Sequence, residues 1–149
     1  MVSSDRILKV DMEDLGGDFL EFRFQERALA YVGRLVRRAR VLSAAELAEL
    51  LENAVDQGLL TEEEKNDVLL TDAVVRGRRK EDGGPVYLAI EVSWGIDPHD
   101  IERALRRAAL LSKLGTPALP VVAGRNMSDD VTALAQAKQV WLVIDGRTS

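Results

Sequence analysis

The chain has 149 residues, 46% of them hydrophobic and 30% charged, which fits one folded domain and excludes a disordered chain. It has no cysteine and one histidine, His99, which excludes disulfides, thiolate zinc sites, cysteine nucleophiles and multi-histidine metal cages. The net charge of −5, from 20 basic and 25 acidic side chains, argues against a general nucleic-acid coat but leaves room for a local basic patch.

Residues 1–16 have no clear period and are expected to be a tail or partner arm, closed by Gly16 and Gly17. Residues 17–68 read as N-terminal helices, and residues 69–149 as an α/β core, with 17–149 forming one domain. From Phe19 to about Arg40 the apolar residues Phe19, Leu20, Phe24, Leu29, Val32, Leu35 and Val36 recur near a helical period. Ser43 opens a second helix with Glu46 three residues on, the spacing of a capping box, and Gly58 suits its end. Thr61 and Glu64 repeat that spacing for a short third helix.

The pattern changes at Leu69. Thr71 to Arg78 and Val86 to Val92 read as strands of an antiparallel hairpin, joined by a turn at Lys80 to Pro85. Asp97-Pro98 starts a helix, with Ile101, Leu105, Ala108 and Leu111 on one face and Gly115 at its end. Ala118 to Ala123 is a strand that a right-handed crossover sets parallel to 86–92. Ser128 caps a last helix, and Val140 to Ile144 is the final strand. No apolar run approaches the ~18 residues of a membrane span, and the N-terminus lacks a signal peptide's apolar core. The expectation is a cytoplasmic protein with no membrane partner.

Glu91 is the odd residue, because Leu88, Ala89, Ile90 and Val92 around it are all apolar. A carboxylate there is costly unless paired, protonated or metal-bound. Asp72 starts the partner strand, and a hairpin can bring the two together. With the Val92 carbonyl they would make an all-oxygen site of the kind that suits Mg²⁺ or Mn²⁺. Such an ion can activate water and stabilise charge on a phosphodiester. The competing reading is that Glu91 meets an arginine or water and Asp72 is a turn residue.

The segment Asp72-AVVRGRRKEDGGPVYLAI-Glu91-Val92-Ser93 resembles the core of the PD-(D/E)XK nuclease superfamily, whose fold is restriction-endonuclease-like. The stretch EVSWGIDPHDIERALRRAALLSKLGTPALPVVAG is similar to uncharacterised bacterial proteins assigned to that superfamily. The resemblance covers about residues 17–145. It implies a mixed central sheet with flanking helices and a helical N-terminal extension. It implies that Asp72 and Glu91 hold the metal, and that Glu21, on the first helix after Gly17, assists. Two departures stand out. Ser93 occupies the place of the motif lysine that orients or activates water, so Arg76 or Lys80 would have to substitute, or catalysis is lost. The strand that usually precedes the aspartate strand is not visible between Arg40 and Leu70, unless it is short or Ile7 to Val10 supplies it.

Arg34, Arg37 and Arg38 fall on one helical face with Arg40 nearby, and Arg103, Arg106 and Arg107 repeat the spacing after Glu91. Each set can grip phosphates, the second beside the metal site; each can equally be a solvated face paired with acids. Trp94 can stack on a base or pack at the strand end. Trp141 reads as core, and His99 as a surface residue rather than a catalytic base. Gly83-Gly84 lacks phosphate-loop spacing, and no Ser-His-Asp constellation is evident.

Two functions follow as expectations. The first is a Mg²⁺- or Mn²⁺-dependent nuclease-like protein hydrolysing DNA, with Asp72, Glu91, Ser93, Glu21 and Arg76 as site residues and Arg103, Arg106, Arg107 and Trp94 on the nucleic acid. Cutting both strands would require a homodimer, with the N-terminal helices as its natural place. The second is a non-catalytic interaction or dimerisation module on the same fold. Ser93 and the acidic balance favour it; Glu91 disfavours it, because a purely structural strand gains nothing obvious from that carboxylate.

Overall fold

The structure is a computed structural model of the chain, and it describes residues 7–10 and 34–145. The elements in chain order are β1 (Ile7–Val10), β2 (Arg37–Val41), α1 (Ala44–Asp56), α2 (Glu62–Leu69), β3 (Ala73–Arg78), β4 (Pro85–Gly95), α3 (Pro98–Ser112), β5 (Ala118–Asn126), α4 (Asp129–Ala137) and β6 (Trp141–Asp145). The strands form one mixed sheet in the order β1-β6-β5-β4-β3-β2. β2, β3 and β4 pair antiparallel, and β4, β5, β6 and β1 run parallel.

The local chemistry explains the helices. Ser43 and Thr61 each accept a backbone N–H at the third helical position, and Glu46 and Glu64 reach back to close both capping boxes. α1 ends in a Schellman motif: Leu59 N–H donates to the Ala54 carbonyl, and Gly58 sits at φ 75. Asp97 caps α3 with Pro98 in its first turn.

Alternation along the strands sorts the core. Val74, Tyr87 and Ala89 face α1, α2 and α3, packing with Leu47, Leu51, Val68, Ala108 and Leu111. Val122 and Leu142 continue that face under α3 and α4. Among the described residues all four helices pack on this side. Val75, Leu88, Ile90, Val121 and Val143 point to the other side, where Trp94 and Trp141 pack against them.

Two segments differ from the sequence reading. Residues 37–41, expected at the end of a long helix, are strand β2 beside β3. The sequence shows no strand there. Its register shifts between Arg37 and Arg40, around Arg38 at φ 53. The extra residue breaks the period of two and puts Val36 and Ala39 three apart, which imitates a helix. Arg37 and Arg38 therefore share no helical face with Arg34. Residues 7–10, expected within a tail, form an edge strand beside β6, at the opposite side of the sheet from β3. The rest of the expected first helix (19–33), Glu21 and most of the proposed dimer surface lie outside the described residues.

Candidate functional site

The hairpin register builds the site. Ala73 pairs with Ile90, so Asp72, one residue earlier, falls beside Glu91, one residue later. The backbone N–H of Val92 donates to Asp72 Oδ2 at 2.7 Å. Asp72 thus closes the end of the ladder, next to Glu91 on the face that carries Tyr87 and Ala89. Glu91 lies midway along the β4–β5 ladder, opposite Val122, on the face that α3 covers.

Glu91 is 3% exposed. Its partner comes from α3. Ile101, Ala104, Ala108 and Leu111 are the buried stripe of that helix, and Arg107 sits within the same stripe at 5% exposure. Arg107 Nη1 donates to Glu91 Oε1 at 2.9 Å, and Arg103 Nε lies 3.6 Å from the same oxygen. Arg107 also donates to Asp67 at 3.2 and 3.3 Å and to the Leu70 carbonyl at 3.4 Å. Arg106 grips Asp67 with two bonds of 2.7 and 3.1 Å and reaches Glu102 at 3.3 Å. Arg103 is hydrogen-bonded to Asp100. One network therefore joins the end of α2, the middle of β4 and the inner face of α3.

The electrostatics follow from this layout. Burial pushes the Glu91 carboxyl above its ordinary value; Arg107 pulls it back in part, and the Asp72 carboxylate adds a further upward push. Arg106 holds Asp67 below the usual carboxylate range. Glu91 Oε2 is buried and has no hydrogen-bond partner among the described residues. An orphaned carboxylate oxygen in such a place is rare and costly.

Not every residue singled out in the sequence joins the pair. The Ser93 hydroxyl donates to the Gly95 carbonyl at 2.9 Å. Arg76 shares a face with Asp72 but lies four residues along β3, about 13 Å away, opposite Tyr87 on β4. It does not take the lysine's place. Lys80 is hydrogen-bonded to the Arg34 carbonyl, away from the site. Trp94 packs on the far-side core with the Arg125 guanidinium 5.1 Å over its ring. His99 is exposed in the first turn of α3. Arg107 belongs to a buried ion pair rather than to a surface open to phosphate. Arg103 and Arg106 remain partly exposed, both already bonded to acids.

Sequence reasoning missed Asp67, Asp100 and the role of Arg107. A signal for the last exists: Arg107 follows Ala104 by three residues on the stripe of α3 that also holds Ile101, Ala108 and Leu111. A cation there must meet a buried anion, and Glu91 is the buried anion of the sheet. The pairing gives Glu91 a structural role. Among the described residues no cluster of three or more metal-ligating side chains occurs. No described helix is long and apolar enough to cross a membrane. Comparison with family models, curated proteins and solved structures finds no match to this chain.

Proposed function

We propose that this chain is a restriction-endonuclease-like domain that hydrolyses phosphodiester bonds in DNA with a divalent metal. The observation that carries this reading is the buried Glu91 oxygen without a hydrogen bond, beside Asp72 at the end of the β3–β4 ladder. The chain order of the hairpin β3–β4, the crossover helix α3 and β5 supports the reading.

The donor set fits the ion. Mg²⁺ is commonly held by one or two carboxylates, with water and substrate phosphate completing the shell. Asp72 and the free oxygen of Glu91 would hold it here. When bound, such an ion polarises a phosphoryl oxygen and lowers the pKa of its water. Arg107 is a positioning residue: its bond to Oε1 fixes the Glu91 carboxylate. Arg103, at 39% side-chain exposure and within 3.6 Å of Glu91, is placed to meet a substrate phosphate.

A specific observation also favours the second reading, a non-catalytic module. Glu91 already has cationic partners, and Ser93 supplies no charge in place of a lysine. Calorimetric titration with Mn²⁺ separates the two. Saturable binding by the wild type, lost in Asp72→Asn and Glu91→Gln while both variants stay folded, supports the metal site. Absence of binding at millimolar Mn²⁺ moves the assignment to the module.

A further inference from the structure

The arginines of β2 and β3 are not used by the carboxylate site. Arg37 stands opposite Arg78, and Arg40 opposite Arg76. Like charges directly across a ladder repel, and this pair of strands does it twice. All five arginines, Arg38 included, are exposed. Among the described residues only Arg40 has a carboxylate partner, Glu46 at 2.6 Å. The protein carries 25 acidic side chains, so this edge is a local reversal of its balance.

The backbone adds an independent sign. Arg38 holds φ 53 in the edge-strand bulge, a conformation that favours glycine and costs an arginine stability. Arg38, Arg40, Arg76 and Arg78, with Gly77 and Pro85, line one hollow of about 250 Å³. Arg76 and Arg78 lie on one side of β3, about 6.6 Å apart along the strand. Arg38 and Arg40 line the same hollow from β2. A pair of guanidinium groups at that interval, with two more beside it, suits successive phosphates of a chain better than a single small anion.

We propose that the β2–β3 edge grips the phosphate backbone of a nucleic-acid strand, with Arg38, Arg40, Arg76 and Arg78 as the contacts. The inference rests on the reading of the protein as one that acts on nucleic acid, and adds where the strand is held. It needs no metal, so its test is run in chelator.

The full chain is titrated against a labelled single-stranded 12-nucleotide DNA by fluorescence anisotropy over a range of salt. Wild type binds, and Arg76→Gln/Arg78→Gln weakens binding at least tenfold at low salt. The log–log salt slope of the double variant falls by about 1.4, at about 0.7 for each single-strand phosphate that is no longer neutralised. Arg38→Gly loses affinity while its Tm holds or rises, since glycine relieves the φ strain; a merely structural arginine would give no such opposition. Lys138→Gln, an exposed charge elsewhere, leaves binding unchanged. Equal binding by the arginine variants overturns the inference. So does binding of inorganic tripolyphosphate without the oligonucleotide, or a wild-type dimer that the double variant dissolves. Binding lost in Asp72→Asn but kept in the arginine variants places the strand at the carboxylates; that result overturns this inference and spares the proposed function.

Discussion

Replacing Arg107 by methionine tests the buried network most directly. Methionine fills much of the arginine stem but leaves Glu91 without its main partner; Arg103 remains at 3.6 Å. The Arg107 and Glu91 side chains are 6% and 4% exposed, so solvent cannot take over the lost interaction. Removing one member of a buried pair costs about 3–5 kcal/mol. For a chain of this size a loss of about 4 kcal/mol lowers Tm by roughly 8–16 °C. Asp67 suffers less, because it keeps both bonds from Arg106.

The loss depends on pH in a fixed direction. The folded pKa of Glu91 is raised above 4.5 by burial, against the pull of Arg107. Taking Arg107 away raises it further. A carboxyl with a raised folded pKa binds its proton more tightly folded than unfolded. Stability therefore falls as pH rises from 4.5 through the folded value, and recovers on acidification. The deficit of Arg107→Met should be largest at neutral pH and shrink on acidification to pH 4.5, as Glu91 takes up a proton. Asp67, held below its ordinary range, titrates beneath that window. Urea unfolding at both pH values reads the difference. Adding Glu91→Leu to Arg107→Met should recover about 2 kcal/mol, because an apolar pair replaces a broken ionic one. A deficit under about 1 kcal/mol at neutral pH, or one that does not change with pH, would refute the account.

Two further substitutions test the backbone. A Cβ on Gly124 would stand 2.3 Å from the Ser93 carbonyl and 2.6 Å from Ile96 Cγ1, so Gly124→Ala should cost about 3 kcal/mol in thermal or urea unfolding. Gly95→Ala, which meets nothing within 4 Å, serves as its neutral control. Gln139 ends α4 at φ 61 in a Schellman motif, with the Val140 N–H donating to the Ala135 carbonyl. Gln139→Gly should raise stability by about 0.5–1 kcal/mol, and an unchanged Tm would show that the position carries no strain.

What the sequence reveals follows the range of the interaction. Ser43 with Glu46, Thr61 with Glu64, and Asp97-Pro98 are contacts within one helical turn, and each marks a helix start where the structure has one. The β3–β4 hairpin is likewise local, with its turn at Gly83 and Gly84. β2 is hidden because its bulge at Arg38 erases alternation. β1 is hidden because parallel pairing with β6 joins segments far apart in the chain, with no turn to announce it. In the site, Asp72 and Glu91 are legible because the hairpin register decides their meeting. Arg107 is not, because its partner is set by how α3 lies on the sheet.

The same packing decides which cation can act at the carboxylates. Arg107 holds Glu91 from beneath, but at 5% exposure it cannot also reach a substrate. Arg106 is open yet committed to Asp67 through both carboxylate oxygens. Arg76 is about 13 Å along its strand. Ser93 turns its hydroxyl to its own chain at Gly95. Arg103 combines partial exposure with proximity to Glu91, and is tied to the buried Asp100 at the first turn of α3. In the proposed hydrolysis the charge absent at position 93 therefore has its replacement on the helix that follows the motif. Under that proposal Arg107 sets the geometry of the carboxylate, and Arg103 would face the phosphate.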